Sequence, residues 1–191
     1  MKNLYNILWV LFVACFICCT PQSTPKPREY FRITFPEKKY SIYNDNMPYS
    51  FEIPQYCHIE KEQNHENELY WNNIVFDDMN AKIHLSYKKV DHNIDTLIED
   101  AHTLAYKHTI KADAIEKVAY ENDSLKVYGL LYNIKGNVAS PIQFFVTDST
   151  KNFLRGSLYF NYAPNIDSLA PAIDFVAEDI THLIETIQWN N

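Results

Sequence analysis

Apolar positions along this chain come first as a block, then in alternation, then at helical spacing. The block is Leu4 to Ile17, preceded by Lys2 and ended by Cys18-Cys19. It is shorter than the roughly 20 residues that cross a bilayer, so it predicts a signal peptide rather than a transmembrane helix. From Tyr30 the period is that of a half-buried strand, with Phe31, Ile33 and Phe35 alternating with Arg32 and Thr34. Tyr49 to Ile53 predicts a short strand ended by Pro54. Residues 58 to 70 read as a polar loop, and Trp71 to Phe76 as a further strand. Ala81, Ile83, Leu85 and Tyr87 then alternate with Lys82, His84, Ser86 and Lys88, which sets His84 on an outward face.

Helical spacing follows at Ile94, Leu97, Ile98, Ala101, Ala105 and His108, with Asn93 placed to cap. Strands are predicted at about 114–120, 126–135, 142–148 and 152–160. Tyr128, Leu130, Tyr132 and Ile134 share one face, and the consecutive Phe144, Phe145 and Val146 predict a strand covered on both faces. A last helix carries the stripe Leu169, Ala172, Ile173, Val176, Ile180, Leu183, Ile184 and Ile187, with Ser168 as cap and Pro171 in the first turn. Short turns between consecutive strands imply antiparallel pairing, and each one-sided helix must pack on the sheet. The fold class is α/β of the α+β kind: a central, mostly antiparallel sheet with two helices on it.

Composition adds a compartment and removes some functions. Of 191 residues, 47% are hydrophobic, enough for a core, and only 3 are glycine, too few for a phosphate-cradling loop. The formal charge of −7 becomes −8 once Lys2 leaves with the leader, which excludes a nucleic-acid binder. Lys38-Lys39 and Lys88-Lys89 flank strands and form no binding stripe. The leader's end resembles a bacterial lipobox, and Cys19 is the lipid attachment site this implies. Cys18 and Cys15 fit less well, because Ile17 precedes the first and apolar Phe16-Ile17 follow the second. Acyl chains anchor at about 0.8 kcal/mol per buried methylene. With Cys19 acylated, only Cys57 remains, so no intramolecular disulfide forms. The organisation is a signal peptide at 1–18, a lipidated tether at 19–29 with Pro21, Pro25 and Pro27, and one globular domain at 30–191.

Two segments carry a family resemblance: residues 137–149, Asn-Val-Ala-Ser-Pro-Ile-Gln-Phe-Phe-Val-Thr-Asp-Ser, running into Phe153 to Phe160, and Ala81 to Tyr87. With Tyr49 to Pro54, Pro164-Asn165 and Trp189, they resemble the gliding-motility lipoprotein GldD of the Bacteroidetes over about residues 26 to 189. Residues 58–70 match least. The resemblance implies a non-enzymatic role in the gliding apparatus and the associated type IX secretion system, with other envelope proteins of that machinery as partners. It supplies no catalytic residue and no cofactor. The element order also resembles the PsbP-like fold. By resemblance to other lipoproteins of that phylum, Thr20 with no acidic cluster after it implies an outer-membrane anchor with the domain facing the periplasm.

The remaining candidates come from residue chemistry. His58, Glu60, Glu62, His65 and Glu66 lie beside Cys57, but no motif fixes them as zinc ligands, and the metal expectation is none. His102 and His108 point in different directions on their helix. Ser140 or Ser149 with Asp148 and a histidine makes a hydrolase triad only on paper, without a nucleophile elbow. Asn137, Ser140, Gln143, Asp148, Ser149 and Arg155 make a possible partner-binding rim, set against plain turn chemistry. Arg155 reads either as a buried paired charge or as an exposed contact. The competing function classes are a small-ligand or lipid carrier with an aromatic-lined pocket, and an envelope hydrolase.

Overall fold

A computed structural model describes residues 34–62, 68, 70–107, 111–161 and 166–190. The leader, Cys19, the tether and most of the strand expected from Tyr30 lie outside the described residues, as do His65, Glu66 and His108. In chain order come β1 (Tyr40–Tyr43), β2 (Tyr49–Pro54), β3 (His58–Lys61), β4 (Asn72–Phe76), a 3-10 turn (Asp77–Met79), β5 (Ala81–Lys89), α1 (Ile94–Tyr106), β6 (Ala112–Asn122), β7 (Val127–Gly136), β8 (Ile142–Thr147), β9 (Asn152–Phe160), α2 (Ile166–Thr186) and β10 (Gln188–Trp189).

Seven strands form one sheet in the order β3-β4-β5-β9-β8-β7-β6, and β1-β2-β10 form a second, three-stranded sheet. Each pairing is antiparallel. The alternation in β5 decides which face meets which helix. Ala81, Ile83, Leu85 and Tyr87 point into a core shared with Tyr49 and Phe51 of β2, with Val176, Ile180, Leu183 and Ile184 of α2, and with Ile187 just beyond it. Burying each such Leu or Ile contributes about 1.5–3 kcal/mol. The opposite face carries a smaller core, where Ala101 and Ala105 of α1 meet Tyr132, Ile134, Phe145 and Phe153. β8 is buried along its whole length, as its consecutive apolar residues predict. Gly156 on β9 faces Phe144 across the strand pair. A Cβ there would lie 2.2 Å from a ring carbon of Phe144, so only glycine lets that ring lie over β9.

Four expectations need correction. Residues 58–61 are a strand, not a loop: Ile59 packs against the core while His58 and Glu60 face outward, an edge-strand pattern too short to read from sequence. Asn93 does not cap α1 through its side chain; its Oδ1 instead accepts from the Asp91 N–H at 2.8 Å. Helix α2 starts at Ile166, so Ser168 and Pro171 lie inside it rather than at its cap and first turn. Thr34 to Lys39, the last part of the expected first strand and the run after it, has no regular structure, although Phe35 stacks on Phe175 at 4.3 Å between centroids.

Candidate functional site

The face of the large sheet that carries α1 is only partly covered by it. One cross-strand row runs Glu60, Asn73, His84, Ser157, Gln143 and Tyr132, from β3 to β7. Helix α1 closes the Tyr132 end, where His102 Nδ1 lies 3.4 Å from the Tyr132 hydroxyl. Beyond the helix the row opens into a cleft of about 380 Å³, with Asn73, His84, Ser157 and Arg155 on its floor and Trp71 and Tyr159 among its walls. The polar floor follows from strand alternation: over this stretch Ile74, Ile83, Leu85, Leu154 and Leu158 face the α2 side.

Arg155 is half-buried, and its Nη2 donates to Gln143 Oε1 at 2.5 Å. Among the described residues its guanidinium forms no ion pair with a carboxylate. Burial pulls the Arg155 pKa below its ordinary value, which Tyr159 only partly offsets. Gln143 is 2% exposed, and because its oxygen faces the guanidinium, its Nε2 has no hydrogen-bond partner. Ser157, also 2% exposed, has an unpartnered Oγ. Each such stranded group costs about 1–3 kcal/mol. His84 Nδ1 lies 3.6 Å from Glu62 Oε2, while Asn73 Nδ2 donates to that same oxygen at 3.0 Å. Burial holds the His84 imidazole below its ordinary pKa, so it is neutral at pH 7.

The six rim residues do not form one surface. The turns around 137–141 and 148–151 lie at opposite ends of β8. Ser140 is fully buried, with its hydroxyl 3.4 Å from Ile142 O, and Gln143 is buried against Arg155. Asp148 organises its turn: Oδ1 accepts from the N–H groups of Thr150, Lys151 and Asn152, and Oδ2 from the Asn152 amide. Burial raises its pKa, but these bonds outweigh burial and hold the carboxyl below its usual value. Ser149 is exposed in the left-handed region at φ 63°, and Asn137 is exposed beside Gly136. Asp148 and Ser149 are therefore turn chemistry, while Arg155 lines the cleft and Gln143 is buried behind it. His84, read as a surface residue, is half-exposed and lines the same cleft.

Elsewhere, His58 lies 3.3 Å from Glu60 and 3.1 Å from Asp77. The Cys57 thiol donates to Pro54 O, and burial pushes its pKa up to about 12, far from thiolate reactivity. Among the described residues no three metal-binding side chains converge, and no helix is long and apolar enough to cross a membrane.

Asp179 of α2 is the functional-looking group that pattern reading missed. It is 2% exposed and accepts from Lys38 Nζ at 2.8 Å, the Tyr40 hydroxyl at 2.8 Å and the Tyr56 hydroxyl at 2.5 Å. Its signal was present: an acid between Val176 and Ile180 on the apolar stripe needs partners from elsewhere in the chain.

The fold defines the class: an antiparallel sheet with helices on both faces, of the PsbP-like α+β kind. It is similar to the solution structure of cyanobacterial PsbP (CyanoP) from Synechocystis sp. PCC 6803, with a TM-score of 0.53 and 12% identity over 81% of this chain and 95% of that one. No curated protein matches it in sequence. The chain belongs to the gliding motility lipoprotein GldD family, whose model matches residues 20–189. A role in gliding motility and a place in the cell envelope follow from that membership.

Proposed function

We propose that the protein is a non-enzymatic component of the gliding apparatus that also supports type IX protein secretion, acting through contacts with other envelope proteins. Lipid on Cys19 holds it at the outer membrane, with the domain facing the periplasm. The observation that carries this reading is the family match across nearly the whole mature chain. Two structural features support a contact role. Strand β6, eleven residues long, has only β7 beside it among the described residues, which leaves a long sheet edge for strand addition. The serine and aspartate of the paper triad are separated or consumed by turn bonding, which favours a non-catalytic reading.

Deleting the gene tests it. Gliding and secretion of type IX cargo should both stop, and the wild-type gene should restore both. Normal cargo secretion in a non-gliding deletion strain would remove the secretion role. The competing lipid-carrier reading needs an apolar, aromatic-lined pocket, whereas the cleft at Arg155 has a polar floor. That cleft favours a different ligand, argued next.

A further inference from the structure

We propose that the cleft on the large sheet is a binding site for a carboxylate on a molecule of small-ligand size, with Arg155 as its anchor. Three independent observations meet there. The first is space: about 380 Å³, within the range of pockets that hold small molecules. The second is an unneutralised cation. Arg155 is half-buried, lines the cleft, and has the neutral Gln143 as its only side-chain partner among the described residues. A buried guanidinium retains its charge, and its planar fork matches a carboxylate. The third is unspent hydrogen-bonding capacity. Ser157 is part of the cleft lining and its buried Oγ has no partner, and the Nε2 of Gln143, its cross-strand neighbour behind the lining, is likewise unpartnered. A hydroxyl and an amide N–H are the donors that complete a carboxylate site around an arginine.

Other charged and titratable groups orient the ligand. Glu62 closes the far end of the cleft, already accepting from Asn73 and facing His84. His84 sits between Asn73 and Ser157 in the row, neutral at pH 7, and Tyr159 forms a wall. Lys82 and Lys88 on the same face of β5 are paired with Glu60 and Glu68. A second carboxylate is repelled at the Glu62 end and accepted at the Arg155 end. The site does not depend on the gliding role, and the two can fail separately.

The test is calorimetric titration of the full-length lipoprotein in non-ionic detergent with two acids, N-acetyl-triglycine and the α-amide of N-acetyl-glutamic acid. Their controls are the matching amides. The first acid offers a main-chain terminus and the second a side-chain carboxylate, so the tighter one identifies the source. At least one acid should bind saturably, about tenfold or more tighter than its amide, with salt weakening it. Arg155→Lys should lose about tenfold, because the ammonium keeps the charge but not the fork. Ser157→Ala removes a stranded hydroxyl, so it should leave the fold intact or firmer while weakening the acid several-fold. That variant keeps the proposal testable should Arg155→Lys fail to fold. Acids that bind no better than their amides, or acid binding unchanged in Ser157→Ala, would overturn it.

Discussion

Replacing Asp179 with alanine should be among the most damaging single changes in the domain. The carboxylate gathers three donors: the Lys38 ammonium, the Tyr40 hydroxyl and the Tyr56 hydroxyl. Net hydrogen bonds to a charged group contribute about 1.5–3 kcal/mol each. The three losses are unequal. Lys38 keeps the Phe175 carbonyl at 2.8 Å and can lean on exposed Glu178 at 3.3 Å, so its loss is the smallest. Among the described residues Tyr40 and Tyr56 have no other hydroxyl partner, and both rings are half-buried. The two tyrosine bonds alone amount to about 3–6 kcal/mol, which overlaps the roughly 3–5 kcal/mol for breaking one side of a buried charged network. Asp179→Asn keeps an acceptor oxygen but turns an amide N–H₂ toward donors, so about 2–3 kcal/mol is expected. Equilibrium urea unfolding of the lipoprotein in detergent, followed by tyrosine fluorescence, measures both. A loss below about 1 kcal/mol for Asp179→Ala would show that the network is a surface arrangement and not a clamp of the N-terminal strand onto α2.

The same tyrosines predict alkaline sensitivity. Burial raises the hydroxyl pKa of Tyr49, and burial followed by Asp179 raises those of Tyr40 and Tyr56, all above the ordinary 10.0. Above about pH 10 the unfolded chain therefore binds fewer protons than the folded one, so stability present below that pH is lost as pH rises; a denaturation midpoint unchanged between about pH 9 and 11 would refute this. Gly156→Ala should cost about 1–3 kcal/mol in urea unfolding because the new methyl meets the Phe144 ring, and a loss under about 0.5 kcal/mol would mean that the ring moves freely. Cys19→Ala should abolish fatty-acid labelling and move the protein to the soluble fraction. Full labelling in that variant would transfer the site to Cys18.

Much of the fold was legible because its strands alternate or run apolar without break. Residues 81–87 and 142–147 announced a one-faced and a two-faced strand, and the stripe from Ala172 to Ile184 announced the last helix. What stayed hidden depended on distant partners. β3 is four residues with one inward side chain, and β10 is two residues, Gln188 and Trp189, opposite Ser50 and Tyr49; neither is long enough to show a period. The separate three-stranded sheet follows from that late pairing. The site was half legible. Gln143 and Arg155 stood out by residue type, but their meeting across β8 and β9 and the cleft that Arg155 shares with His84 and Ser157 depend on strand register. Register also separated Asp148 from them, placing it in a turn that its own side chain builds.

The central claim is that the protein works by holding other envelope proteins. Its most direct test is the native size and composition of the lipoprotein after mild cross-linking in gliding cells and gentle detergent extraction. Most of the protein should migrate in a complex containing components of the gliding and type IX secretion machinery. A protein that migrates as a single chain in its micelle, in cells whose gliding depends on it, would contradict a mechanism built on contacts.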